Sequence, residues 1–193
     1  MEIKYFGNNK IFIKGKKESV WLNPKKSNLE DKNYYARIII FTDKENNFIK
    51  LGEEGEKVII SGAGEYEIGG VEVNGIGIEK GGTIYVVTVD GFRLVVIGDL
   101  SEELSEKKID KVDEADIMLT TAKIGDKVNF KLLRDWAKKW GVNYMIPLLA
   151  DAEAMKHFLD EADEEGLTEN ESLKLDKIDD LPDGFEVKLL KKN

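Results

Sequence analysis

The chain has 193 residues and a formal net charge of −9. A negative balance of this size disfavours nucleic-acid partners, because it repels the phosphate backbone. The whole chain has no Cys and one His, which excludes a disulfide-built scaffold and a metal site made of several thiolates or imidazoles. Neither a signal peptide nor an apolar run of ~20 residues that could span a membrane is present, so we expect one cytoplasmic domain over residues 1–193.

Strand-like segments dominate the first half of the chain. The pattern predicts strands at 2–6, 10–14, 19–22, 37–41, 57–60, 70–78, 83–89 and 92–97. Residues 38–40 and 94–97 are uninterrupted apolar runs, which are typical of strands buried on both faces. The dipeptide Asp90-Gly91 between two apolar runs predicts a two-residue hairpin turn.

The second half alternates helical and strand patterns. We predict helices at 102–112, 130–140 and 152–165, and strands at 115–121, 142–146 and 185–190. Asp151 is expected to cap the last helix, Gly141 to end the second and Gly166 to end the third. Residues 166–184 form a charged, turn-rich segment before a final strand. Pattern alone therefore indicates a mixed α/β or α+β fold.

Residues 37–48 combine a short apolar run with a polar loop, Arg-Ile-Ile-Ile-Phe-Thr-Asp-Lys-Glu-Asn-Asn-Phe. The segment resembles the metallo-β-lactamase superfamily, in which a strand ends in Thr-His-x-His-x-Asp-His and these side chains hold one or two metal ions. On that pattern the first two His fall on Asp43 and Glu45, the Asp on Asn47 and the last His on Phe48. The segment therefore keeps the pattern of a strand followed by a polar loop, but it has no His at the positions of the family's metal-binding imidazoles.

Three further segments carry the same resemblance. Residues 61–71 are similar to a Gly-Pro-Gly-Glu-Tyr-Glu-Val-Gly-Gly turn in the small zinc-dependent-hydrolase-like branch of the superfamily. Residues 90–100 are similar to the branch's strand ending in Gly-Asp-Leu, whose metal-bridging Asp falls on Asp99. Residues 144–147 are similar to the last core strand, after which Leu149 stands where a final His is usual.

The resemblance implies a four-layer αββα sandwich and a zinc-dependent hydrolase. Only Asp99 keeps the residue type of a metal ligand, so we expect zinc hydrolysis to be lost and no zinc cofactor to bind. We predict a non-catalytic pseudoenzyme that binds a small molecule or a protein, without nucleic-acid or membrane partners; homo-oligomerisation stays open. The alternative is a hydrolase that holds Mg²⁺ or Mn²⁺ at Asp43, Glu45 and Asp99, since hard ions prefer oxygen ligands.

Two expectations concern individual side chains near this site. His157 lies about 150° from the apolar stripe of its helix at ~100° per residue, so we expect it to face solvent rather than act in catalysis. Phe48 and Leu149 are apolar at or beside former ligand positions. We expect both to be buried next to Asp99, whose carboxylate should then accept hydrogen bonds from protein donors.

Overall fold

The computed structural model describes residues 1–42, 57–78, 82–125, 127–149, 151–163 and 166–193. Within these ranges the chain forms a six-stranded sheet, a seven-stranded sheet and a small two-stranded hairpin. The strands are β1 (Glu2–Tyr5), β2 (Ile11–Lys14), β3 (Ser19–Leu22), β4 (Ile38–Ile40), β5 (Val58–Ile60), β6 (Gly64–Ile68), β7 (Val71–Gly77), β8 (Thr83–Val89), β9 (Phe92–Ile97), β10 (Ile117–Thr120), β11 (Lys123–Ile124), β12 (Lys127–Val128), β13 (Tyr144–Pro147), β14 (Leu173–Lys174) and β15 (Glu186–Val187). The helices are α1 (Lys26–Glu30), α2 (Glu106–Ile109), α3 (Phe130–Lys139) and α4 (Ala152–Ala162).

The six-stranded sheet has the order β14-β1-β2-β3-β4-β5. Strands β14, β1, β2 and β3 pair antiparallel, whereas β3, β4 and β5 pair in parallel. Ile38, Ile39 and Ile40 of β4 are all fully buried. This agrees with the uninterrupted apolar run, because a parallel strand inside a layered fold is covered on both faces.

The seven-stranded sheet has the order β15-β13-β10-β9-β8-β7-β6. Strands β6 to β9 form an antiparallel meander, and β9, β10, β13 and β15 are parallel. Asp90 and Gly91 connect β8 to β9 with φ angles of 53° and 87°. Positive φ at both central residues is the geometry of the predicted two-residue hairpin turn, which Asp and Gly tolerate.

The two sheets pack face to face between outer layers. A continuous apolar core lies between the sheets, and a second core lies between the outer face of the seven-stranded sheet and helices α3 and α4. The opposite outer face carries a smaller cluster of Phe6, Phe12, Trp21 and Tyr34, whose rings meet at 4.8–6.3 Å between centroids. The predicted four-layer αββα sandwich is confirmed.

Several predicted boundaries are wrong. The helix expected over 102–112 is limited to α2, and the one expected over 152–165 ends at Ala162. Asp163 ends α4 with φ 56° instead of Gly166, since Asp is one of the few residues that adopt the left-handed region readily. The glycine-rich residues 61–71, expected as a turn, contain strand β6, which pairs with β7 along its whole length, and the first residue of β7.

The helix caps follow the sequence more closely. Asp151 accepts hydrogen bonds from the backbone N–H groups of Glu153 and Ala154, as predicted for an N-cap. Gly141, with φ 71°, follows Trp140, the residue that caps the end of α3. Of the helices in the described ranges, none has the length and apolar character needed to cross a membrane.

Candidate functional site

The carboxyl ends of three parallel strands meet at one edge of the seven-stranded sheet. Ile97 of β9, Thr120 of β10 and Pro147 of β13 are in register at this edge. Crevices outside the carboxyl ends of parallel strands are the usual ligand sites of open sheets. Here the edge opens into a cleft of about 280 Å³.

The cleft wall comes from four separate parts of the chain. Asp99 follows β9, Thr121 follows β10, and Leu148 and Leu149 follow β13. Lys123 and Asp151 line the same cleft from β11 and from the start of α4. Asn8 and Asn9 close it from the turn between β1 and β2.

At this edge the ends of β3 and β4 are joined to each other, and the end of β4 approaches the seven-stranded sheet closely. Asn23 accepts hydrogen bonds through Oδ1 from the backbone N–H of Thr42 at 2.9 Å and from its hydroxyl at 3.2 Å. A Cβ atom on Gly98 would lie 2.7 Å from Thr42 Oγ1, a distance that no side chain can occupy without displacing Thr42. Glycine at position 98 therefore allows β4 to approach β9 directly before Asp99.

Asp99 and Leu149 share the cleft, as the resemblance implies. Leu149 is 7% exposed and packs in the core beside α3 and α4, as expected. Asp99 is exposed, and no described residue donates a hydrogen bond to its carboxylate. The expectation that protein donors satisfy Asp99 is therefore wrong for the described part of the chain; solvent access removes the need for them.

Four of the predicted positions lie outside the described residues. These are Asp43, Glu45, Asn47 and Phe48, all within 43–56. The expected burial of Phe48 against Asp99 accordingly stays a prediction.

The described lining residues do not fit a zinc ion. They offer two carboxylates, Asp99 and Asp151, and Asp151 Oδ1 already accepts two backbone N–H groups at the start of α4. Lys123 places a cationic side chain in the same cleft, and a like charge opposes a divalent ion. Within the described ranges no three His, Cys, Asp or Glu side chains lie close enough to hold a metal.

Backbone conformations that are uncommon for non-glycine residues concentrate around the cleft. Asn8, Asn9 and Asn23 have φ angles of 47°, 60° and 49°, and Ala122, next to Thr121, has 57°. For Ala the left-handed region costs about 1 kcal/mol or more, because Cβ approaches the backbone. Such residues cluster at functional sites.

His157 lies on the exposed side of α4, as predicted. Its side chain is 61% exposed and its Nδ1 atom is 3.6 Å from Glu161 Oε1. It does not line the cleft of Asp99. The single imidazole of the chain therefore is not one of the groups at the carboxyl ends of the parallel strands.

Two buried tyrosines lie in the core between the sheets near this edge. The Tyr85 hydroxyl accepts the backbone N–H of Gly62 at 2.7 Å and donates to Phe41 O at 3.1 Å. Among the described residues, none forms a hydrogen bond with the buried Tyr5 hydroxyl, although the backbone N–H of Asn8 lies near it. Burial raises the pKa of both hydroxyls.

A model of the β-lactamase superfamily domain matches residues 2–148, so the chain belongs to this family. No curated protein matches. Among solved structures, a protein from Thermotoga maritima assigned to the Zn-dependent hydrolases of the metallo-β-lactamase superfamily is 17% identical, with a TM-score of 0.76 over 98% of both chains.

Two other structures are less similar. One is a protein from Parabacteroides distasonis assigned as a metal-dependent hydrolase, 12% identical, with a TM-score of 0.59 over 98% of this chain and 93% of that one. The other is Zn²⁺-bound PqqB from Methylobacterium extorquens, 10% identical, with a TM-score of 0.54 over 91% and 100%. At these identities the likeness establishes the metallo-β-lactamase fold, and activity must be argued from the site.

Proposed function

We propose that this member of the superfamily has lost zinc hydrolase chemistry and uses the cleft at Asp99 to bind a small polar molecule without catalysis. The ligand class we assign offers hydroxyl or amino donors to the Asp99 carboxylate. A cytoplasmic location, the absence of nucleic-acid and membrane partners, and the oligomeric state stay predictions.

The observation that carries the proposal is the buried side chain of Leu149. It is 7% exposed in the core beside α3 and α4, at the place where the resemblance implies the final imidazole. An apolar side chain cannot coordinate a metal, and the one His of the chain is His157 on the exposed side of α4. Zinc needs about three protein ligands, most often imidazole or thiolate, and the chain has too few.

The charges of the cleft support an organic ligand over a bare cation. Asp99 is exposed and makes no described hydrogen bond, so its oxygens are available as acceptors. Lys123 supplies a cationic donor, and Asn8 and Asn9 lie across the opening with amide groups that both donate and accept. Leu148 and Leu149 add an apolar surface, so the lining suits a ligand with polar groups on a carbon skeleton.

The alternative is a hydrolase with Mg²⁺ or Mn²⁺ held by Asp43, Glu45 and Asp99. The accessible carboxylate of Asp99 supports it, because a hard ion needs unengaged oxygen ligands. Lys123 in the same cleft opposes it.

Elemental analysis of protein purified without chelator tests the loss of zinc. We expect well under one equivalent of zinc, iron or manganese per chain, and the same content in Asp99→Ala. A full equivalent in the wild type that disappears in Asp99→Ala would overturn the proposal.

Thermal unfolding separates the oxygen-ligand alternative. If Mg²⁺ or Mn²⁺ binds the folded state, millimolar ion raises the melting temperature, and Asp43→Asn or Asp99→Asn abolishes the rise. We expect no such rise.

Binding itself is tested by titrating a panel of small polyols, amines and amino alcohols while following amide NMR signals, with Asp99→Ala as the comparison. We expect shifts at 99, 121 and 149 that Asp99→Ala removes; a panel that shifts none of these signals contradicts a binding role.

A further inference from the structure

A second and larger cavity adjoins the cleft. It is a groove of about 510 Å³ between the hairpin β11–β12 and helix α4. Lys123 and Lys127 line it from the hairpin, and Asp151, Glu153, His157 and Glu161 line it from the start and exposed side of α4. We call it the hairpin–α4 groove. The two lysines thus come from one wall and the three carboxylates from the other.

The opposite charges of the two walls do not pair with each other. No ion pair joins Lys123 or Lys127 to a described carboxylate, and Glu153 likewise has no cationic partner in the described ranges. Both signs of charge are therefore available to a ligand that enters the groove.

Both walls are anchored from behind. The hairpin is held by a hydrogen bond of 2.6 Å from the Gly125 N–H to Leu100 O and by a β-bridge between Leu100 and Ile124. Helix α4 is held to the start of α3, where Glu161 Oε2 accepts the Phe130 N–H at 2.9 Å and the rings of Phe130 and Phe158 meet at 5.2 Å. The groove is therefore a preformed feature in which Lys123, Lys127 and Glu153 form no ion pair with another described residue.

We propose that the hairpin–α4 groove binds a small zwitterion of the size of a dipeptide. Its carboxylate lies toward Lys123 and Lys127, and its ammonium lies toward Glu153. A ligand with both charges satisfies both walls. A simple anion would face the carboxylates of Asp151, Glu153 and Glu161, and a simple cation would face two lysines.

The expected affinity is modest. Lys127 and Glu153 are exposed, and ion pairs that stay in contact with water contribute little. We therefore expect a dissociation constant of about 1 mM and a loss of about three- to fivefold for each charge removed. Lys127 and Glu153 line the groove alone, whereas Lys123 and Asp151 line both the groove and the cleft, so Lys127 and Glu153 are the positions at which groove binding is tested.

The test is an NMR titration of the full chain with Ala-Ala, N-acetyl-Ala-Ala and Ala-Ala-amide up to about 10 mM. The free dipeptide should shift the amide signals of 123, 127, 153 and 154, and each blocked form should bind about three- to fivefold more weakly. Lys127→Gln should lower the affinity for the free dipeptide and for N-acetyl-Ala-Ala, which both carry the carboxylate. The affinity for Ala-Ala-amide, which lacks it, should change least. Glu153→Gln should lower the affinity for the two peptides that carry an ammonium group. The affinity for N-acetyl-Ala-Ala, which has none, should change least.

Two controls keep the outcomes distinct. Lys138→Gln removes an exposed charge on α3 away from the groove and should leave binding unchanged. Asp99→Asn leaves Lys127 and Glu153 in place, so dipeptide binding in the groove should persist even if this variant abolishes ligand binding in the cleft. Equal binding of free and blocked dipeptides, or no shift at the groove up to about 10 mM, would overturn the proposal.

Discussion

Tyr5 and Tyr85 offer a matched test of what a buried hydroxyl contributes to this fold. Both rings are buried in the core between the sheets, at 4% and 0% exposure. Replacement by Phe keeps the ring and its apolar contacts, so each substitution removes only an oxygen. The two oxygens differ in their partners, and the two variants should therefore differ in sign as well as in size.

Tyr85→Phe should lower the free energy of unfolding by about 2–3 kcal/mol. The hydroxyl lost accepts the Gly62 N–H and donates to Phe41 O, and an unsatisfied buried backbone group costs about 1–3 kcal/mol. Tyr5→Phe should be neutral or stabilise by up to about 1 kcal/mol, because its hydroxyl is desolvated and no described residue forms a hydrogen bond with it.

Urea unfolding followed by tryptophan fluorescence measures both variants, and unchanged m-values confirm that both unfold from the same native state. The reasoning is refuted if Tyr5→Phe destabilises as much as Tyr85→Phe. It is also refuted if Tyr85→Phe costs less than about 0.5 kcal/mol, since the pairing of its hydroxyl would then be irrelevant to stability.

Three other buried or half-buried groups give measurable outcomes. Leu149→His should cost about 2–4 kcal/mol in urea unfolding, because a buried apolar side chain becomes a polar ring; elemental analysis should still find less than one zinc per chain, and stoichiometric zinc would contradict the assignment of the cleft. Burial lowers the pKa of Lys10, so the unfolded chain binds its proton more tightly and wild-type stability should rise as the pH approaches about 10.4. Lys10→Met should flatten that rise in unfolding curves recorded from neutral to alkaline pH. Burial raises the pKa of Asp116, so the native state binds its proton more tightly than the unfolded chain does. This contribution to stability is lost as the pH rises above about 3.9. Asp116→Asn should remove that pH dependence, and a variant with the wild-type pH profile would contradict the role of Asp116.

Central strands can be predicted from this sequence because their burial leaves a local signature. Ile38–Ile40 and Phe92–Ile97 lie inside their sheets, so nearly every position is apolar. Edge strands lack that signature. Strand β6, Gly64–Ile68, alternates exposed and half-buried residues, and its pairing with β7 rather than its propensity makes it a strand.

The residues of the candidate site likewise differ in whether the sequence alone can locate them. Asp99 and Leu149 can be located because each follows a recognisable buried strand. Thr121 ends the strand predicted at 115–121, but no motif marks it as a site residue, and Lys123 lies in the two-residue strand β11, which has no recognisable pattern. Asn8 leaves a weaker signal: Gly-Asn-Asn between two apolar runs is typical of a turn with left-handed residues, but the sequence does not indicate that this turn faces Asp99.

The pairing of β1 with β14 has a consequence for how the chain acquires its structure during synthesis. Glu2 and Ser172, which hydrogen-bond across this edge, are 170 residues apart. A ribosome adding about 5–20 residues per second needs roughly 10–30 s to cover that distance, so the outer edge of β1 emerges long before its partner exists. An uncovered edge can recruit strands from other nascent chains.

Charges on β1 limit that risk. Glu2 and Lys4 lie 4.0 Å apart on this strand, and both side chains remain partly in contact with solvent. Charged side chains on an exposed edge discourage intermolecular pairing. The same two residues that are ordinary surface groups in the finished fold therefore protect the incomplete chain until residues 173–174 arrive.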